Sequence, residues 1–152
     1  MANPTIIKSE TRERLRRFCQ GRGIELCVLF GSRAKGKVHP NSDWDLALIA
    51  RQQPDLRKQI LRLHGEFEDI FGHPVDLVII DQDTDPLLRM EVFQYGEPLY
   101  EASSGFFVEE RVLAVKIYDD TEPLRRWRDR VLAERILSLK YVDRSKYVSK
   151  AR

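Results

Sequence analysis

The chain has 152 residues, 42% hydrophobic and 33% charged, the profile of one globular domain large enough to bury a core. Its 26 Lys and Arg nearly balance 24 Asp and Glu, and the net charge of +2 argues against a general nucleic-acid or membrane-surface binder. No apolar run approaches the roughly 18 residues of a membrane span and no signal-type apolar segment is visible, so the sequence predicts a cytoplasmic protein.

A first helix, capped by Thr5 or Ser9, is predicted to about Gln20, with Leu15 and Phe18 on its apolar side and Gly21 and Gly23 ending it. Strands follow over Glu25 to Phe30 and Trp44 to Ala50, separated by turn-forming residues Gly36 to Ser42. Leu56, Ile60, Leu63, Phe67 and Ile70 recur at helical spacing and predict a helix from Asp55 to Phe71. Gly72-His73-Pro74 stops it, a third strand covers Val75 to Ile80, and Pro86 opens a short helix to Tyr95. A brief extended segment, Leu99-Tyr100, comes next. From Phe106 the pattern is helical, with Val108, Val112 and Val115 on one stripe and Leu124, Trp127 and Val131 on another. The basic tail, Lys140 to Arg152, is predicted to fray or to order on a partner. Cys19 and Cys27 lack metal-ligand spacing and read as reduced core thiols. These elements define an α/β fold, a small mixed β-sheet flanked by helices, over residues 1–102, with a helical appendage and basic tail over 103–152.

The chemistry concentrates in a few residues. Gly31-Ser32 leaves the first strand, ten residues intervene, and Asp43-Trp44-Asp45 begins the second. Alternate strand side chains share a face, which would set the two carboxylates about 7 Å apart along one side. Carboxylates so spaced can share divalent cations, and a Gly-Ser turn brings backbone N–H groups to a phosphate. Asp45 lies inside the apolar second strand, where an unpaired carboxylate is costly to bury, and Asp76, a third acid that alone reads as a strand-start residue, opens the apolar third strand. Each has a plainer reading: Asp43 and Asp45 as a turn before a strand, Ser32 as a helix N-cap. Arg33, Lys35 and Lys37 follow the turn, placed to face either a triphosphate or solvent. Taken together, Gly31, Ser32, Asp43, Asp45 and Asp76 point to metal-dependent nucleotidyl transfer.

This constellation resembles the signature of the polymerase-beta-like nucleotidyltransferase superfamily, and the small size resembles its minimal nucleotidyltransferases (MNT). Asp85-Pro86-Leu87-Leu88-Arg89-Met90-Glu91, Gly96-Glu97-Pro98-Leu99-Tyr100-Glu101 and Glu122-Pro123-Leu124-Arg125-Arg126 are similar to antitoxins of type VII-like MNT/HEPN toxin–antitoxin pairs. The resemblance implies a nucleotidyltransferase fold and Mg²⁺-dependent transfer of AMP from ATP to a tyrosine hydroxyl of a HEPN ribonuclease toxin. It implies that Asp43, Asp45 and Asp76 ligate two Mg²⁺ ions and carry catalysis, and that Gly31, Ser32 and Arg33 bind the triphosphate. Asp76 would also help deprotonate the acceptor.

Two other functions fit the same residues. One is an antitoxin that neutralises its toxin by binding alone, although a pure binder has no need of three acids around a phosphate turn. The other is an adenylyltransferase for a small-molecule hydroxyl, although about 50 residues after Glu101 leave little for a deep pocket. The stripe with Trp127 reads as core, dimer seam or partner surface, in that order, and the helices after residue 103 are the predicted surface for a protein partner or a second copy.

Overall fold

The computed structural model describes residues 7–37, 39 and 41–148, with side chains described to residue 139. The chain divides into two compact units, Met1–Lys116 and Ile117–Arg152.

The first unit is built on a four-stranded sheet in the order β3-β2-β1-β4, formed by β1 (Leu26–Phe30), β2 (Trp44–Ile49), β3 (Val75–Ile79) and β4 (Glu97–Glu101). β1 runs antiparallel to both β2 and β4, while β2 and β3 are parallel, so the sheet is mixed as the sequence predicts. A parallel pair needs a crossover. It is supplied by a 3₁₀ segment, Pro54–Gln59, leading into α3 (Ile60–Phe71). The apolar repeat read as one helix from Asp55 therefore begins as 3₁₀, with Pro54 at its start.

Period-two alternation sends side chains to two cores. Cys27, Leu29, Leu46, Leu48 and Leu77 pack with Leu15 and Cys19 of α1 (Ser9–Arg22) and with Leu63 and Phe67 of α3. Leu26, Val28, Ala47 and Ile49 pack with Val92 and Phe93 of α4 (Pro86–Tyr95) and with Phe106, Phe107 and Ala114 of α5 (Phe106–Asp120). Cys19 and Cys27 are both free and buried, and the Cys19 hydrogen bond and burial push the Cys27 thiol up, as suits an inert core residue.

Several local expectations change. The residue before α1 is Lys8 rather than Ser9, no side chain caps the helix, and Thr5 lies outside the described residues. The helix also runs past Gln20 to Arg22, because Gly21 fits a helix interior and Gly23 supplies the left-handed cap at φ +66°. Val108, Val112 and Val115 face outward on α5, since Phe106, Phe107, Glu110 and Ala114 form its buried side. Glu110 is there for an ionic reason. Its carboxylate lies 3.4 Å from buried Arg89 and also pairs with Arg51, while Arg89 donates to the Asp81 carbonyl.

In the second unit, α6 (Glu122–Val148) is one long helix that continues past Lys140, where fraying was predicted; residues 149–152 lie outside the described residues. Arg125 stacks on the Tyr118 ring, 3.6 Å from its centroid. Leu124, Trp127, Leu132, Ile136 and Leu139 are exposed, and Trp127, read first as a core residue, is 60% accessible. Among the described residues, no helix is long and apolar enough to cross a membrane.

Candidate active site

The C-terminal end of β1 and the N-terminal ends of β2 and β3 meet at one end of the sheet, and the predicted residues gather there. Phe30 pairs with Asp45 across the antiparallel ladder, and Asp45 pairs with Asp76 across the parallel one. Asp45 shares its face with Ala47 and Ile49, and Asp76 with Val78, so both acids rise from the same side of the sheet. Asp43 precedes β2 by one residue, outside the strand, and is exposed.

Beyond Phe30 the backbone turns through Gly31, at φ +72°, into the four-residue helix α2 (Gly31–Ala34). The glycine answers two demands at once. Its conformation is one that L side chains avoid, and a β-carbon there would lie 2.2 Å from Asp45 Oδ2. Ser32 lies inside α2 rather than at its cap, a position held by Phe30 without a side-chain bond. The leading N–H groups of so short a helix have no intrahelical partner, which is the donor type that receives phosphate oxygens.

Arg33, expected at the triphosphate, makes contacts within the loop before β2. Its Nε donates to the Ser42 and Asp43 carbonyls at 3.1 and 3.2 Å, and its Nη2 to Ser42 at 2.6 Å. The guanidinium also stacks 4.5 Å from the Trp44 ring centroid. It thus holds the loop that presents Asp43. Lys35 forms a 2.6 Å ion pair with Glu91 of α4 and lies 5.0 Å from the centroid of the Tyr95 ring, while Lys37 is exposed.

Burial raises the Asp45 carboxyl above the usual range, and the negative charges of Asp76, Asp43 and Glu91 push the same way against a smaller opposing pull from Arg33. Four acids therefore act on one locus, of which Glu91 escaped the sequence reading. Among the described residues, no three His, Cys, Asp or Glu side chains are already grouped as an ion-holding cluster. The donor set still suits a hard divalent cation: Asp43, Asp45 and Asp76 offer only oxygens, and their mutual repulsion is the kind a cation relieves.

Residues 13–105 match the family described as Polymerase beta, Nucleotidyltransferase. The chain belongs to that family, and so is a nucleotidyltransferase. It is 31% identical over 101 residues to the protein adenylyltransferase MntA of Aphanizomenon flos-aquae (strain 2012/KM1/D3), spanning 59% of this chain and 67% of that relative. A toxin–antitoxin crystal structure with AMP-PNP contains a chain similar to this one at TM-score 0.66 and 22% identity, over 80% of this chain and 98% of that one. A second similar chain comes from the complex of tri-AMPylated Shewanella oneidensis HEPN toxin with MNT antitoxin, at TM-score 0.63 and 19% identity, over 83% and 99%. At such identities the structural likeness establishes the fold. The mixed sheet flanked by helices and the family resemblance read from the sequence are both borne out.

Proposed function

We propose that this chain is the antitoxin of an MNT/HEPN pair and transfers AMP from ATP, with Mg²⁺, to a tyrosine hydroxyl of a HEPN-type toxin. The observation that carries the reading is the register pairing of Asp45 with Asp76 beside the Gly31 turn. The likeness to MntA, named a protein adenylyltransferase, supports a protein acceptor and ATP.

In this reading Asp43, Asp45 and Asp76 hold Mg²⁺. Bound there, the cation neutralises triphosphate charge and lowers the pKa of the acceptor hydroxyl. The leading N–H groups of α2 and the Ser32 hydroxyl take the triphosphate oxygens. Asp76, exposed at the start of β3, assists removal of the acceptor proton. Arg33 keeps Asp43 on station through the Ser42 and Asp43 carbonyls. Phosphoryl transfer asks for positioning and charge more than covalent help, so a domain of this size suffices.

Neutralisation by binding is the second reading, favoured by the exposed apolar residues of α6, Trp127 foremost. Incubating the chain and a co-expressed HEPN protein with α-phosphate-labelled ATP tests the first. Label on the partner, lost with EDTA and outcompeted by unlabelled ATP before GTP, CTP or UTP, is the expected result. Unlabelled partner in an intact complex would refute transfer and leave binding.

A further inference from the structure

β3 lies at one edge of the sheet, and its outer side is unusually legible. Trp44 N–H donates to the Pro74 carbonyl at 3.1 Å, and Ile80 N–H donates to the Leu48 carbonyl at 2.8 Å. In a parallel ladder the backbone groups of successive residues alternate in direction. Residues 74, 76, 78 and 80 therefore bond β2, and Val75, Leu77 and Ile79 turn their N–H and C=O groups to the open edge. Two side chains mark this direction independently. His64 Nδ1 sits 3.0 Å from the Val75 oxygen, and Arg57 Nη2 donates to the Ile79 oxygen at 3.4 Å. Between these capped carbonyls, Leu77 has no edge-side partner among the described residues.

A cavity of about 400 Å³ lies along this edge. Ile60 and Leu77, from one core, and Val78 and Leu88, from the other, line it together. Residues of both sheet faces line one cavity where it wraps the sheet's margin. The loop after β3 adds Asp81, Asp83 and Asp85, against one cation, Arg57, which is itself paired with Asp81. The groove thus has an apolar floor, an unclaimed backbone donor and acceptor, and an acidic rim.

We propose that this edge docks an extended, lysine- or arginine-bearing segment of the protein acceptor, which adds to β3 by pairing with Leu77. Strand addition draws affinity from main-chain hydrogen bonds and selectivity from the flanking pockets and charge. The proposal rests on the protein-acceptor reading above and supplies its route. Asp76 is the next residue along β3, so a segment paired at Leu77 passes one strand spacing, about 4.8 Å, from the Asp76 backbone. A hydroxyl carried by that segment reaches the acids from the sheet's edge. His64 and Arg57 occupy the Val75 and Ile79 carbonyls, which leaves the Leu77 N–H and C=O and the Ile79 N–H facing the edge.

The test is amide NMR of the isotopically labelled full chain, titrated with a synthetic peptide alternating lysine and valine around one tyrosine. Two control peptides carry glutamate for lysine, or N-methyl groups on alternate backbone nitrogens. The lysine peptide is expected to shift the Leu77 and Ile79 amides and the 81–85 loop saturably, and both controls to lose the effect. Asp83→Lys, at an exposed rim position outside the acid cluster, should weaken binding several-fold with the fold intact. Unmoved Leu77 and Ile79 amides, or equal shifts with either control, would overturn the docking edge. ATP and Mg²⁺ added to the same samples separate this from the chemistry. Docking without a gain in peptide mass keeps the edge and counts against the acceptor reading, whereas a mass gain without edge shifts removes the edge and keeps the chemistry.

Discussion

A β-carbon on Gly31 would stand 2.2 Å from Asp45 Oδ2, closer than any pair of unbonded atoms tolerates. The turn and the acid are thus mutually dependent: β1 can leave the sheet here only because residue 31 has no side chain. Gly31→Ala should cost about 1–2 kcal/mol for the left-handed backbone alone. Asp45 must also move, and transfer should fall by about a hundredfold, the order expected for a displacement near 1 Å. Chemical denaturation and initial rates measure the two effects separately.

Asp45→Asn should abolish transfer and raise the melting temperature at pH 7. The sign follows from linkage. Burial and the neighbouring acids raise the folded-state carboxyl above its unfolded value, so the native state holds that proton more tightly. Stability from this group is present at pH below the unfolded value and is lost as pH rises through the folded one. The advantage of the variant should therefore shrink as pH drops through the carboxylate range. Parallel melting curves from pH 3 to pH 7 read this directly, and a variant less stable than the parent at pH 7 would contradict the crowding of acids.

Arg33 offers a choice between two roles that kinetics can separate. As the clamp on the Ser42 and Asp43 carbonyls it acts through loop position, and Arg33→Met should lower kcat roughly ten- to a hundredfold with KM for ATP little changed. A direct triphosphate contact would instead raise KM.

Glu110→Ala should destabilise the first unit by about 3–5 kcal/mol, because Arg89 would be left charged and buried without its carboxylate. The pair lies outside the acid cluster, so residual folded protein at low temperature should retain transfer. Urea unfolding with a rate measured at 10 °C checks both halves.

Trp127→Asp should leave stability within about 0.5 kcal/mol, since the ring is largely exposed. Nucleotide binding should be unaffected, while co-purification of a HEPN partner should be lost. Retained co-purification would move the partner surface away from α6.

Much of the site was legible because its signals are local. Gly31-Ser32, Asp43-Trp44-Asp45 and the acid opening β3 are short spacings that strand geometry turns into a common face, and β3 pairs Asp76 with Asp45 as that pattern allows. What escaped depends on distance along the chain. Glu91 approaches the acids from α4, and nothing near it in sequence separates it from a solvated helix residue. Arg33 binds backbone carbonyls, which leave no trace in side-chain patterns. Arg89 and Glu110 look like surface charges until the fold buries them together. Helix α2 is only four residues long, too short to show a period, and β4 begins at Glu97, ahead of the apolar pair Leu99-Tyr100 that signalled it.

The most direct test of the central claim is intact-mass spectrometry of a HEPN partner co-expressed with this chain, then incubated with ATP and Mg²⁺. Adenylyl-sized increments on the partner, absent with the Asp43→Asn/Asp45→Asn double variant, are the predicted result. A stable complex whose partner mass never changes would contradict it.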